Sequence, residues 1–120
     1  MKLTKKGEDD MGVDYQMHRA SVNVAKGLRQ FQKAETAYSK DKIDSTVDHI
    51  NKGLNYFATA IDHVAKAEDD AYTKAGDQID KGNKEMNKAV DAYDKGHNDS
   101  AQNYYMNAMD DYDKALYLIG

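Results

Sequence analysis

Four histidines are the side chains in this chain best suited to chemistry: His18, His49, His63 and His97. Imidazole binds transition metals, shuttles protons and accepts phosphoryl groups, so spacing decides which of these is open. His49 and His63 are 14 residues apart in one predicted helix. That separation is about 21 Å at 1.5 Å per residue, so the two cannot share an ion. A turn at 39–42 that folds the chain back about residue 41 brings residue 18 near residue 64, and so sets His18 level with His63. Asp14 lies one helical turn before His18, and Asp62 adjoins His63. Two imidazoles with one or two carboxylates suit Zn²⁺, Cu²⁺ or Ni²⁺, and Asp14, His18 and His63 are the expected ligands.

Other chemistry is poorly served. A di-iron bundle site needs Glu-x-x-His twice, and the glutamates Glu8, Glu35, Glu68 and Glu85 never stand three residues before a histidine. Ser21, Ser39, Ser45 and Ser100 lie outside any nucleophile-elbow pattern. There is no glycine-rich phosphate loop and no cysteine. Asp110, Asp111 and Asp113 lack the spacing of a calcium loop and read as a solvated face. No enzyme is expected.

The elements that must position these residues are written twice. Ala34, Ala37, Tyr38, Lys40, Asp44, Ser45 and Ala60 return as Ala89, Ala92, Tyr93, Lys95, Asp99, Ser100 and Ala115, at an offset of 55. Each unit reads as helix, turn, helix, which predicts an all-α, antiparallel up-down-up-down four-helix bundle of two tandem hairpins. The single domain spans 1–120, with 1–13 a frayed tail, hairpin one 14–67 and hairpin two 69–119. The mates of His18 and His63 are Thr73 and Leu118, so a metal site belongs to hairpin one alone.

Heptads mark the seam. Met17, Val24, Phe31 and Tyr38 form a large column in the first helix, beside a small column of Ala20, Gly27 and Ala34. The second helix shows Ile43, Ile50, Phe57 and Val64 beside Val47, Leu54 and Ile61. Tyr72, Ile79, Met86 and Tyr93, with Ala75, Gly82 and Ala89, repeat the first pattern; Tyr105, Tyr112 and Ile119, with Met109 and Leu116, give the last helix. Val24, Phe31, Ile50, Leu54, Phe57, Ile61, Ile79, Met86, Met109 and Leu116 are the expected core. Gly27 and Gly82 imply either close helix approach or room for a ligand.

Turns are expected at 39–42, 65–70 and 94–99. The second holds no Gly, Pro or Asn, and only the change of seam phase at Tyr72 places it. A continuous rod there would make a helix-swapped dimer instead of a monomer. Asp9, Asp10 or Asp14 is a candidate cap for the first helix. Asn98 or Asp99 suits the last, Asp99 with Gln102 as a capping box.

The chain has 120 residues, no proline and a net charge of −4. Helix interiors exclude proline, which supports the helical class. The acidic balance argues against nucleic acid as a partner. The longest apolar run near the C-terminus, Ala115 to Ile119, is too short to span a bilayer. A soluble protein is expected, cytoplasmic or, if a signal peptide has been removed, periplasmic. A protein partner or self-association is open.

Three resemblances add expectations. Ala89-x-x-Ala92-Tyr93-x-x-Gly96-x-x-Asp99-x-Ala101-x-x-x-Tyr105-x-x-Ala108-Met109 resembles a tetratricopeptide hairpin, although that family repeats at 34. Ala-Val-x-Ala-x-x-x-Gly-His at 89–97 resembles the small metal-binding helical-bundle proteins of bacteria and carries over His97 alone. His49-x-x-Lys52-Gly53 resembles the histidine phosphotransfer motif. It implies His49 as phosphoacceptor, Lys52 as neutralising charge and Gly53 as space for a partner. The resulting expectation is a non-enzymatic binding or structural protein, with transition-metal binding and phosphotransfer as alternatives.

Overall fold

The computed structural model describes residues 2–119, and their side chains apart from those of residues 2–11, 13 and 71. Four helices follow one another: α1 (Lys2–Ser39), α2 (Ile43–Ala67), α3 (Asp70–Asp94) and α4 (Asn98–Ile119). No strand occurs among the described residues. α1 packs along α2, α3 along α4, and α2 along α3. With connections of two or three residues, neighbours run antiparallel, and the all-α bundle of two hairpins is the architecture observed.

α1 starts at Lys2, so the segment expected to fray as a tail over 1–13 carries helical backbone from residue 2, and hairpin one runs from there to Ala67. Met1 lies outside the described residues. Gly7 and Gly12 each cost up to about 1 kcal/mol against alanine but do not stop a helix otherwise free of breakers. Asp9, Asp10 and Asp14 sit within α1 and therefore do not cap it. α1 has 38 residues and α2 has 25, which draws the molecule out to 60 × 19 × 18 Å.

The first and third turns are the same device. Lys42 N–H donates to Ala37 O (3.0 Å) and Asp41 N–H to Tyr38 O (3.0 Å). At the offset of 55, His97 N–H donates to Ala92 O (2.8 Å) and Gly96 N–H to Tyr93 O (3.0 Å). Both are Schellman closures with a left-handed residue after the helix, Asp41 at φ 59° and Gly96 at φ 77°. The unmarked second turn uses Glu68, at φ 51°, as a left-handed C-cap after Ala67. The chain reverses there, and α2 and α3 pack on each other, so no continuous rod forms. The cap expected at Asn98 or Asp99 falls one position earlier: His97 O accepts Ala101 N–H at 2.9 Å. Gln102 does not close a capping box with Asp99; its amide donates to the Tyr93 hydroxyl at 2.8 Å.

The seam is large against small in every helix. Val24, Phe31, Ile50, Phe57, Ile79 and Met86 are buried as expected. Leu54, Ile61, Met109 and Leu116 are only partly buried at the edge of the core. The inner second column of α2 is Thr46, Gly53, Ala60 and Ala67, and that of α4 is Ala101, Ala108 and Ala115. Small residues let paired helices approach, which moves the bulkier column to the flank.

Close approach also explains the interior glycines. A Cβ at Gly27 would lie 2.7 Å from the Phe57 ring and 3.2 Å from Gly53 O; one at Gly53 would strike the Phe31 ring and lie 3.1 Å from Gly27 O. A Cβ at Gly82 would meet Tyr112. Rings therefore occupy the room that a ligand would have taken. Phe31, Phe57 and Tyr112 form one stack across the two hairpins, with centroids 5.3 Å (Phe31–Phe57), 4.0 Å (Phe57–Tyr112) and 5.5 Å (Phe31–Tyr112) apart. Each such pair adds about 0.5–1.5 kcal/mol beyond burial.

Candidate functional site

The side chain that meets His63 is Gln16, not His18. His63 Nδ1 lies 2.7 Å from Gln16 Oε1, and His49 Nδ1 lies 2.9 Å from Gln30 Oε1. Both partners on α1 are 14 residues apart, matching the spacing of the two histidines on α2. The antiparallel register thus forms the same interhelical clasp twice. His18 is two residues beyond Gln16, about 200° farther round the helix, and it is exposed, as is Asp14. Among the described residues no group of three or more His, Cys, Asp or Glu side chains could hold a metal ion. Asp14, His18 and His63 are therefore not gathered into the expected ligand set for Zn²⁺, Cu²⁺ or Ni²⁺. His97 is exposed at the third turn.

His49 stands in a different setting. It lines a groove of about 490 Å³ between α1 and α2, whose charged walls are Arg29, Lys33, Lys40 and Lys42. Arg29 and Lys33 share one face of α1 by a spacing of four, and Lys40 follows in the turn just past the end of that helix. Lys42 and Ser45 bring in the start of α2. No carboxylate lines this groove, and none of its lysines or Arg29 enters a salt bridge among the described residues. Since Gln30 Oε1 is an acceptor, Nδ1 of His49 carries the hydrogen, which leaves the Nε2 lone pair available in the neutral ring.

The second hairpin is a built-in comparison. The counterparts of Arg29 and Lys33 are Lys84 and Lys88, and both are neutralised: Lys84 by Asp80 at 3.1 Å, Lys88 by Glu85 at 3.3 Å. Lys88 also lies over the Tyr104 ring, 5.8 Å from its centroid. In hairpin one the positions of Asp80, Glu85 and Asp91 are Ala25, Gln30 and Thr36. The cations are kept and the acids are gone. Hairpin one carries more Lys and Arg than Asp and Glu, and hairpin two the reverse.

Two expectations from the phosphotransfer resemblance change. Lys52 pairs with Asp48 at 3.2 Å and does not line the groove. Gly53 is buried beneath Phe31 and opens no space for a partner. Gln16, Gln30 and the acid-free groove are the features that sequence reading missed. The matched spacing of 14, and acids present in one repeat but absent from the other, were the available signals.

No known protein family, characterised protein or solved structure matches this chain. Among the described residues no helix is long and apolar enough to cross a membrane.

Proposed function

We propose that this chain is a non-enzymatic binding protein whose ligand surface is the cationic groove of hairpin one, and that its ligand is a phosphorylated small molecule. The supporting observation is that Asp80 and Glu85, which neutralise Lys84 and Lys88 in hairpin two, correspond to Ala25 and Gln30 in hairpin one. Unpaired cations along a concave wall concentrate positive potential, and the guanidinium of Arg29 can grip a phosphate through two parallel hydrogen bonds. Calorimetric titration with inorganic pyrophosphate tests this. Binding should weaken as salt rises. It should be lost in the Arg29→Gln, Lys33→Gln double variant and kept in Lys84→Gln, Lys88→Gln. Equal losses from the two pairs would reduce the groove to nonspecific attraction, and the chain to a structural scaffold.

One observation favours a second reading, phosphotransfer at His49: its Nε2 is free for attack while Gln30 holds Nδ1, and the groove beside it is cationic. The phosphoryl group would pass from an acyl phosphate to Nε2, releasing the carboxylate, with Lys33 and Arg29 in the role first given to Lys52. Acetyl phosphate should then label His49 and spare His63, which has the same glutamine clasp but lies outside this groove. Labelling of both, or neither, removes this reading.

A further inference from the structure

A second concavity, independent of the cationic groove, opens between the hairpins near the first and third turns. It has a volume of about 300 Å³, and its polar and aromatic walls are Glu35 and Tyr38 from α1, Thr46 from α2, Tyr93 from α3, and Gln102 and Tyr105 from α4, with Met106 beside them. α1 and α4 meet here through long side chains. The Tyr105 hydroxyl donates to Glu35 Oε2 at 2.7 Å, and Gln102 Nε2 donates to the Tyr93 hydroxyl at 2.8 Å. The Tyr38 and Tyr93 rings are tilted by 55° with centroids 5.8 Å apart. Tyr93 and Tyr105 are buried, whereas Met106 stands exposed at the rim.

The lining holds one carboxylate and no Lys, Arg or His. No ion pair among the described residues engages Glu35. Phenols are uncharged at neutral pH, and burial raises those of Tyr93 and Tyr105 further above their usual range. The sequence repeat at an offset of 55 supplies the control. The mates of Glu35, Gln102 and Tyr105 are Val90, Val47 and Ile50; Val90 and Val47 pack against the core, and Ile50 lies in it, where it also lines this cleft. Filling this seam with aliphatic side chains is therefore feasible in the same fold, and only the α1–α4 side keeps a carboxylate among tyrosines.

We infer that this cleft binds a small alkylated ammonium ion, held by the tyrosine rings with Glu35 as its counter-charge. Cations are attracted to aromatic faces, more strongly when desolvated, and a carboxylate at the same site selects charge over shape. An anion is disfavoured by Glu35. A neutral ligand of the same shape would keep the packing but lose both electrostatic contributions.

The test compares choline with 3,3-dimethylbutan-1-ol, which replaces its nitrogen by carbon, by calorimetric titration of the full chain. Choline should bind at least about tenfold more tightly. Glu35→Gln should erase most of that preference, while Glu85→Gln on hairpin two leaves it intact. Tyr38→Leu, at a partly buried position, should weaken choline binding, with unchanged circular dichroism establishing the fold. Equal affinity for the two compounds, no binding of choline, or an unaltered preference in Glu35→Gln would overturn the inference.

Discussion

Gly53→Ala is the sharpest test of how the two helices of hairpin one are joined. On a free helix surface this change stabilises by up to about 1 kcal/mol, because glycine loses more backbone entropy. Here the new methyl would strike the Phe31 ring and lie 3.1 Å from Gly27 O. The carbonyl belongs to the opposing helix, and the ring is fully buried in the stack with Phe57 and Tyr112, so neither yields freely. Overpacking of this kind costs about 1–3 kcal/mol, and displacing a stacked ring loses about 0.5–1.5 kcal/mol more. The net effect should be a destabilisation of about 1–3 kcal/mol, lowering Tm by roughly 4–12 °C at this chain length. Hairpin two provides the rescue, since Met86 and Ala108 stand at the mates of Phe31 and Gly53. A thioether chain bends where a phenyl ring cannot. Phe31→Met should therefore be less harmful in the Gly53→Ala background than in the wild type, giving a favourable coupling of about 1 kcal/mol or more in a double-mutant cycle by thermal and urea unfolding. Gly53→Ala melting at or above the wild-type temperature, or a cycle with no coupling, would refute the close approach of α1 and α2.

Other outcomes follow from single residues. Asp41→Gly should stabilise by about 0.5–1 kcal/mol in urea unfolding, because Asp41 holds the left-handed cap that Gly96 fills in the third turn. Tyr112→Phe should cost about 0.5–1.5 kcal/mol by stranding Asn83, whose Oδ1 accepts the Tyr112 hydroxyl at 2.7 Å. Adding Asn83→Leu copies Phe57 and Leu28 of hairpin one and should recover most of that loss in the same assay. Burial raises Tyr93, and raises Tyr105 and Tyr112 further, above the unfolded value of about 10. The unfolded chain therefore loses these protons first, and stability should hold below about pH 10 and fall above it. Near-ultraviolet titration should show these three of the nine tyrosines ionising only as the chain unfolds; ordinary titration of all nine in folded protein would contradict their burial.

The heptads, the absence of proline and the offset of 55 determined the helical class, the two hairpins and the large seam columns, because periodicity is a local property of the chain. Even the second turn, which lacks a breaker, was legible from the phase change at Tyr72, though the left-handed φ of Glu68 was not. What the sequence could not decide was anything that turns on one residue of register between helices. Folding about residue 41 set His18 level with His63 to within a turn, but a shift of one residue turns a side chain by about 100°. Gln16 meets His63 because the first turn and the contact of Gly27 with Gly53 fix that rotation together. The small inner columns of α2 and α4 emerged for the same reason: which of two adjacent columns faces inward depends on how closely the partner helix can come. The groove and the tyrosine cleft lie one step further from the sequence. Each exists only where separate helices stand at a spacing set elsewhere, by glycines within hairpin one and by the Phe31–Phe57–Tyr112 stack between the hairpins.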